Sequence, residues 1–110
     1  MRWHHNYTRA NMYLATVDSE VEMSLKRAWP TMTRMTRIVL YLAIVKGLYN
    51  KEIAEVLNIK MNTVMRHMYL SRQATGCKSQ RLVYAYCAIR YFQERSKTDG
   101  CCIDKVAETS

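Results

Sequence analysis

The sequence predicts an all-α fold on three observations. Glycine occurs three times and proline once in 110 residues, too sparsely for a many-stranded, turn-rich architecture. Apolar residues recur at three- and four-residue steps, the period of a helix face. Capping residues stand where these stripes begin, and Gly47 and Gly76 stand where two of them end. The length fits one domain rather than two. Such a chain buries roughly 65% of its unfolded surface, enough for one modest core and too little for a barrel enzyme. At 49% hydrophobic residues the composition is not that of a disordered chain.

Residues 1–31 read as an N-terminal helical extension. Tyr7, Ala10, Leu14, Val17, Val21, Leu25 and Ala28 form one apolar stripe, or two helices joined near Thr16. Asp18 is placed to cap the second helix, with Glu20 and Glu22 in its first turn and Lys26 and Arg27 in its last. Pro30 stops it. The next helix covers residues 33–46. Its run Ile38 to Val45 is apolar throughout and is also compatible with a buried strand; the flanks decide, with Thr33 or Thr36 as cap and Lys46-Gly47 as terminus. Asn50 is read as the cap of a short helix from Lys51 to about Leu57, with Ile53, Ala54 and Leu57 inward. Asn58 tolerates the left-handed conformation of a tight turn. A helix from about Met61 to Thr75 ends at Gly76. Ser79 caps a last helix to about Arg95, whose core stripe is read as Leu82, Tyr86, Ile89 and Phe92, with Ala85 beside it. Residues 96–110 are a polar tail expected to fray.

No segment is long enough to span a membrane: the longest apolar run has eight residues, against about 20 required. The first residues lack the apolar core of a signal peptide. Cys77, Cys87, Cys101 and Cys102 form no CxxC pair, so reduced cytoplasmic thiols packing as small apolar residues are expected. His4 and His5 have no third ligand at metal spacing, and the eight methionines read as core filling. No cofactor site is expected. No catalytic triad, carboxylate pair or glycine-rich phosphate loop is present, so the chain reads as no enzyme.

The net charge of +8 is concentrated. Residues 32–93 hold ten basic residues against Glu52 and Glu55, whereas the flanking segments nearly balance. Such a block points to an anionic partner, double-stranded DNA first. Two short helices joined by a tight turn, the second basic and followed by a capped helix, are helix-turn-helix organisation. Ala54 lets the two helices approach, and Ile53, Leu57, Ile59 and Val64 form the knot between them. The second helix presents Lys60, Asn62, Met65, Arg66, Tyr69, Arg72 and Gln73 outward.

The segment Gly47 to Val64, GLYNKEIAEVLNIKMNTV, with His67 and Gly76 beyond it, resembles the LuxR-type (GerE-type) helix-turn-helix domain. The resemblance extends over about residues 32–92. It places the domain at 32–95 and implies a four-helix, DNA-binding domain of a bacterial transcription regulator, usually dimeric, whose third helix enters the major groove. The family's base-contacting positions fall on Met65, Arg66 and Tyr69, and its phosphate-contacting positions on Lys51, Thr63 and His67. Lys60, Asn62 and Arg72 on the same face are further phosphate candidates. The chemistry of two positions agrees: Arg66 suits guanine O6 and N7, and Lys51 at a helix N-terminus suits a phosphate. The fourth helix pairs subunits in the family, and here Val83, Tyr84, Cys87 and Tyr91 are the interface candidates, the alternative being packing against residues 1–31. This sequence departs from the family at Lys60, where a Ser or Thr cap is usual, at Ser71 and Thr75, where aliphatics are usual, and at Tyr69.

About 31 residues precede the domain, too few for the receiver or ligand-binding domain such regulators carry, so direct sensing of a signal is not expected. A different class of function remains open: an auxiliary interaction module that heterodimerises with another regulator or contacts RNA polymerase. A sigma-like polymerase-binding region, which has a related helix-turn-helix, is a third reading. Lys46, Lys78, Arg90 and Arg95 are read as solvated surface charges.

Overall fold

A computed structural model describes residues 17–99, which form five helices and no strand. They are α1 (Ser19–Ala28), α2 (Arg34–Ile44), α3 (Asn50–Leu57), α4 (Met61–Thr75) and α5 (Gln80–Asp99). The stripe positions Tyr7, Ala10 and Leu14, the pair His4 and His5, and Cys101 and Cys102 lie outside the described residues.

Local chemistry sets most boundaries. The Asp18 carboxylate accepts from the Val21 N–H at 2.9 Å and caps α1. Thr33 is the cap of α2, its Oγ1 accepting from the Thr36 N–H at 3.3 Å. Gly47 follows α2 at φ +70°, and Gly76 closes α4 at φ +74°, both in the left-handed region that a side chain strains. Asn58 supplies the same conformation without glycine, at φ 55°, and turns α3 into α4. The Ser79 hydroxyl accepts from the Leu82 N–H at 3.2 Å and starts α5.

Two boundaries differ from the sequence reading. Asn50 is the first residue of α3, and Tyr49 is its cap: the Tyr49 N–H donates to the Glu52 carboxylate at 2.8 Å. The last helix passes Arg95 and continues to Asp99.

Helix α2 is the centre of the fold, packed against α1, α3, α4 and α5. This is why its apolar run shows no polar face: Ile38, Val39, Leu40 and Leu42 are all buried, and a helix covered on every side is apolar all round. Each such side chain contributes roughly 1.5–3 kcal/mol through burial. Residues 17–31 share this core rather than forming a separate one, with Val17, Leu25, Ala28 and Trp29 buried among the other helices.

Helix α1 lies along α5, and polar bonds lock the pair. The Trp29 indole N–H donates to the Cys87 carbonyl at 3.0 Å. Arg90 Nε donates to the Ala28 carbonyl at 3.3 Å, and from α2 Arg37 Nε donates to the Trp29 carbonyl at 3.0 Å. These guanidinium groups satisfy carbonyls left open where α1 ends. Arg95 reaches the Ser24 hydroxyl at 3.4 Å. Arg90 and Arg95 are therefore structural donors, not simply solvated charges. Lys46 lies 5.9 Å from the centre of the Tyr41 ring, a cation–π contact.

This packing reverses the two faces of α5. Val83 and Cys87 are 0% exposed and Tyr91 is 4% exposed, while Leu82, Tyr86, Ile89 and Phe92 are 46–60% exposed. The sequence carries an apolar stripe on each side of the helix, so periodicity could not say which turned inward. Trp29 decides it. Its ring sits 6.2 Å from that of Tyr91, which also meets Tyr41 at 6.0 Å, and this aromatic cluster holds the 83–87–91 side against α1 and α2. Val83, Cys87 and Tyr91 are thus withdrawn from any surface where a second subunit could touch them. Tyr84 is half-buried, its hydroxyl 3.7 Å from the Met68 sulfur. Burial raises the Tyr84 phenol above its usual range, and it pushes the Cys87 thiol up to about 12, with Cys77 adding to the shift and Arg90 opposing it.

Candidate nucleic-acid interface

Helices α3 and α4 and the turn at Asn58 build the site. Ile53 and Val56 on α3, with Val64 and Met68 on α4, are buried and fix the angle between the two helices. Val56, rather than Ala54 or Leu57, is the second fully buried residue of α3; Ala54, Leu57 and Ile59 are partly buried against it. Ser71 is buried where an aliphatic was expected, and its hydroxyl donates to the Met68 carbonyl at 2.6 Å, so no polar atom is left open. Thr75 does the same one turn later, donating to the Ser71 carbonyl at 2.9 Å.

With that side of α4 inside, the opposite side faces solvent. Asn62, Met65, Arg66, Tyr69 and Gln73 are exposed along it, and Lys60 is exposed at its start. Lys51 is exposed in the first turn of α3, beside backbone N–H groups that have no helical partner. Lys51 in the first turn of α3, Lys60 at the start of α4 and Arg66 in its second turn are three exposed cations. No acidic residue lies on α4.

Three of the predicted phosphate contacts, His67, Arg72 and Thr63, are half-buried, and the first two have partners within the fold. His67 is half-buried, its Nδ1 2.8 Å from the Thr36 hydroxyl. Thr36 in turn accepts from the Thr33 hydroxyl at 3.1 Å, so the three side chains form a chain of hydrogen bonds. Burial first, and the neighbouring Arg66 charge second, lower the imidazole below its ordinary pKa. Arg72 is half-buried, donating to the Gln80 side chain at 2.8 Å and lying 5.8 Å from the centre of the Tyr69 ring.

Sequence reasoning missed two features. Asn50 is not a cap; its Nδ2 lies 3.3 Å from the Met65 sulfur and ties α3 to the outer face of α4. Tyr49 is 80% exposed at the front edge of α3. Glu52, three residues after Tyr49, has the spacing of a capping box and was the available signal for both.

This geometry is a helix-turn-helix with a cationic, protruding second helix. Residues 22–74 match the family model of Sigma-70, region 4. The match runs from the middle of α1 to the end of α4, so it includes the helix-turn-helix and its supporting helices and stops before α5. It marks the segment as similar to a helix-turn-helix domain of the DNA-binding, transcription-related kind, one shared by sigma factors and LuxR-type regulators and typically non-enzymatic. The LuxR-type resemblance is thereby supported at the level of the shared helix-turn-helix, not as that family in particular. No curated protein and no solved structure matches the chain. Among the described residues, no helix is long and apolar enough to cross a membrane.

Proposed function

We propose that this protein is a sequence-specific, cytoplasmic DNA-binding transcription regulator that lays α4 in the major groove. The observation that carries this reading is the exposed face of α4, free of acidic residues and flanked by Lys51 and Lys60. Arg66 reads a guanine edge, and Met65 and Tyr69 meet neighbouring bases. Lys51, Lys60, Asn62 and Thr63 hold phosphates. With Nδ1 of His67 paired to Thr36, Nε2 is the ring nitrogen left for a phosphate oxygen, to which it donates in the tautomer protonated there. Arg72 acts through Tyr69, whose ring it covers.

The protein acts as a dimer in this proposal. Leu82, Tyr86, Ile89 and Phe92 form the pairing face, in place of Val83, Cys87 and Tyr91. Four large apolar side chains on one exposed stripe approach the largest patch an ordinary monomer shows, about 300–600 Å2. A stripe on a single helix is self-complementary across a two-fold axis. A second reading, docking on RNA polymerase, is favoured by the match to Sigma-70, region 4.

Titration of a fluorescent duplex with the full chain at several salt concentrations tests the main reading. Binding at low salt, with log K falling by about 0.9 per phosphate neutralised for each tenfold rise in salt, is the expected result. No binding at low salt would exclude it.

A further inference from the structure

The outer face of α4 is not uniformly polar. Met61, Met65 and Tyr69 recur every four residues, so they form one row, and each is 45–52% exposed. Asn62, Arg66 and Gln73 form a polar row beside it. Val64, Met68 and Ser71 are the residues of α4 that fill the core, and the apolar row flanks them with about half of each side chain left in solvent. Met65 and Tyr69 are not loosely held. Asn50 Nδ2 lies 3.3 Å from the Met65 sulfur. Gln73 Nε2 donates to the Tyr69 hydroxyl at 3.0 Å, and the Arg72 guanidinium lies over the Tyr69 ring. The row is thus an apolar surface whose Met65 and Tyr69 are held by three polar side chains, on a helix that also exposes Lys60 at its start and Arg66 along its length.

This charge requires a polyanion, and the row requires that this polyanion show apolar groups. In the major groove the one apolar group on the base edges is the 5-methyl of thymine. We propose that Met61, Met65 and Tyr69 read thymine methyl groups, so that the target carries a run of thymines beside the guanine read by Arg66. The proposal rests on the DNA-binding reading above and names the class of sequence it recognises. Methionine suits the task because its unbranched thioether adapts to a methyl group with no hydrogen bond to satisfy.

The test uses the full chain and a duplex selected from a randomised pool. Each thymine of the selected site is replaced in turn by deoxyuridine, which removes the methyl and leaves every hydrogen-bonding group in place. At contacted positions the affinity should fall about fourfold per methyl, the effect of one buried carbon. Met65→Gln, at an exposed position, should retain the helical spectrum and bind the thymine and deoxyuridine forms of one position equally. Binding that is indifferent to deoxyuridine at every position would overturn the proposal and leave the DNA-binding reading standing. Undiminished methyl discrimination by Met65→Gln at all positions would overturn the part given to Met65. Failure to bind any duplex would remove the DNA-binding reading and this inference with it.

Discussion

The Thr36 hydroxyl and Nδ1 of His67 stand 2.8 Å apart and join the first turn of α2 to the middle of α4. The bond ties α4 to the central helix of the core. The Thr36 hydroxyl can donate to the neutral ring or accept from a protonated one, so what disfavours protonation is burial first and the nearby Arg66 charge second.

Stability should therefore depend on pH through His67. Its folded pKa lies below the ordinary value of about 6.5. As pH falls, the unfolded chain takes up the proton first, so the folded state loses stability. The contribution is complete above the unfolded pKa and disappears as pH drops through the window between that value and the lower folded one. Urea unfolding at a series of pH values checks this. The wild type should lose stability on acidification, and His67→Gln, which keeps an acceptor for Thr36, should lose less across that window.

Trp29 should be a sensitive position outside the helix-turn-helix. Trp29→Phe keeps the aromatic contact with Tyr91 but removes the indole donor to the Cys87 carbonyl, which then has only its bond within α5. The expected cost is about 0.5–1.5 kcal/mol. It should appear as a lower urea midpoint with an unchanged slope. A midpoint equal to wild type would mean that the indole hydrogen bond adds no net stability.

Reactivity should separate the two described cysteines. With its thiol pushed up to about 12, Cys87 has almost no thiolate at neutral pH, and it is fully buried. A short alkylation pulse on the native protein, followed by peptide mapping, should label half-buried Cys77 ahead of Cys87. Prior unfolding should equalise them.

Much of the fold was legible in the sequence because local signals were strong. Asp18, Thr33, Asn58, Gly76 and Ser79 each act within a few residues, and each sets the boundary expected of it. The exposed face of α4 was legible for a similar reason, since Val64 and Met68 at four-residue spacing mark its inner side. Tertiary choices were not legible. Leu82, Tyr86, Ile89 and Phe92 are as apolar as Val83, Tyr84, Cys87 and Tyr91, and only the position of Trp29 on the neighbouring helix selects between them. The engagement of His67 by Thr36 and of Arg72 by Gln80 has no sequence signature, because the partners lie far apart in the chain or on different helices.

The reversal of α5 makes the pairing proposal specific. Ile89→Glu places a charge on the exposed stripe and should leave the helical spectrum unchanged while converting the dimer to a monomer in sedimentation equilibrium. A wild-type chain that is monomeric at high micromolar concentration would contradict the pairing face.

The central claim is that α4 reads base sequence through Arg66, and selection of duplexes from a randomised pool tests it most directly. The wild-type chain should enrich one motif containing a guanine. Arg66→Ala should lose ~1–3 kcal/mol of preference at that base pair alone, whereas Lys51→Ala should weaken all sequences alike. No enrichment, or a motif that Arg66→Ala leaves unchanged, would contradict the account.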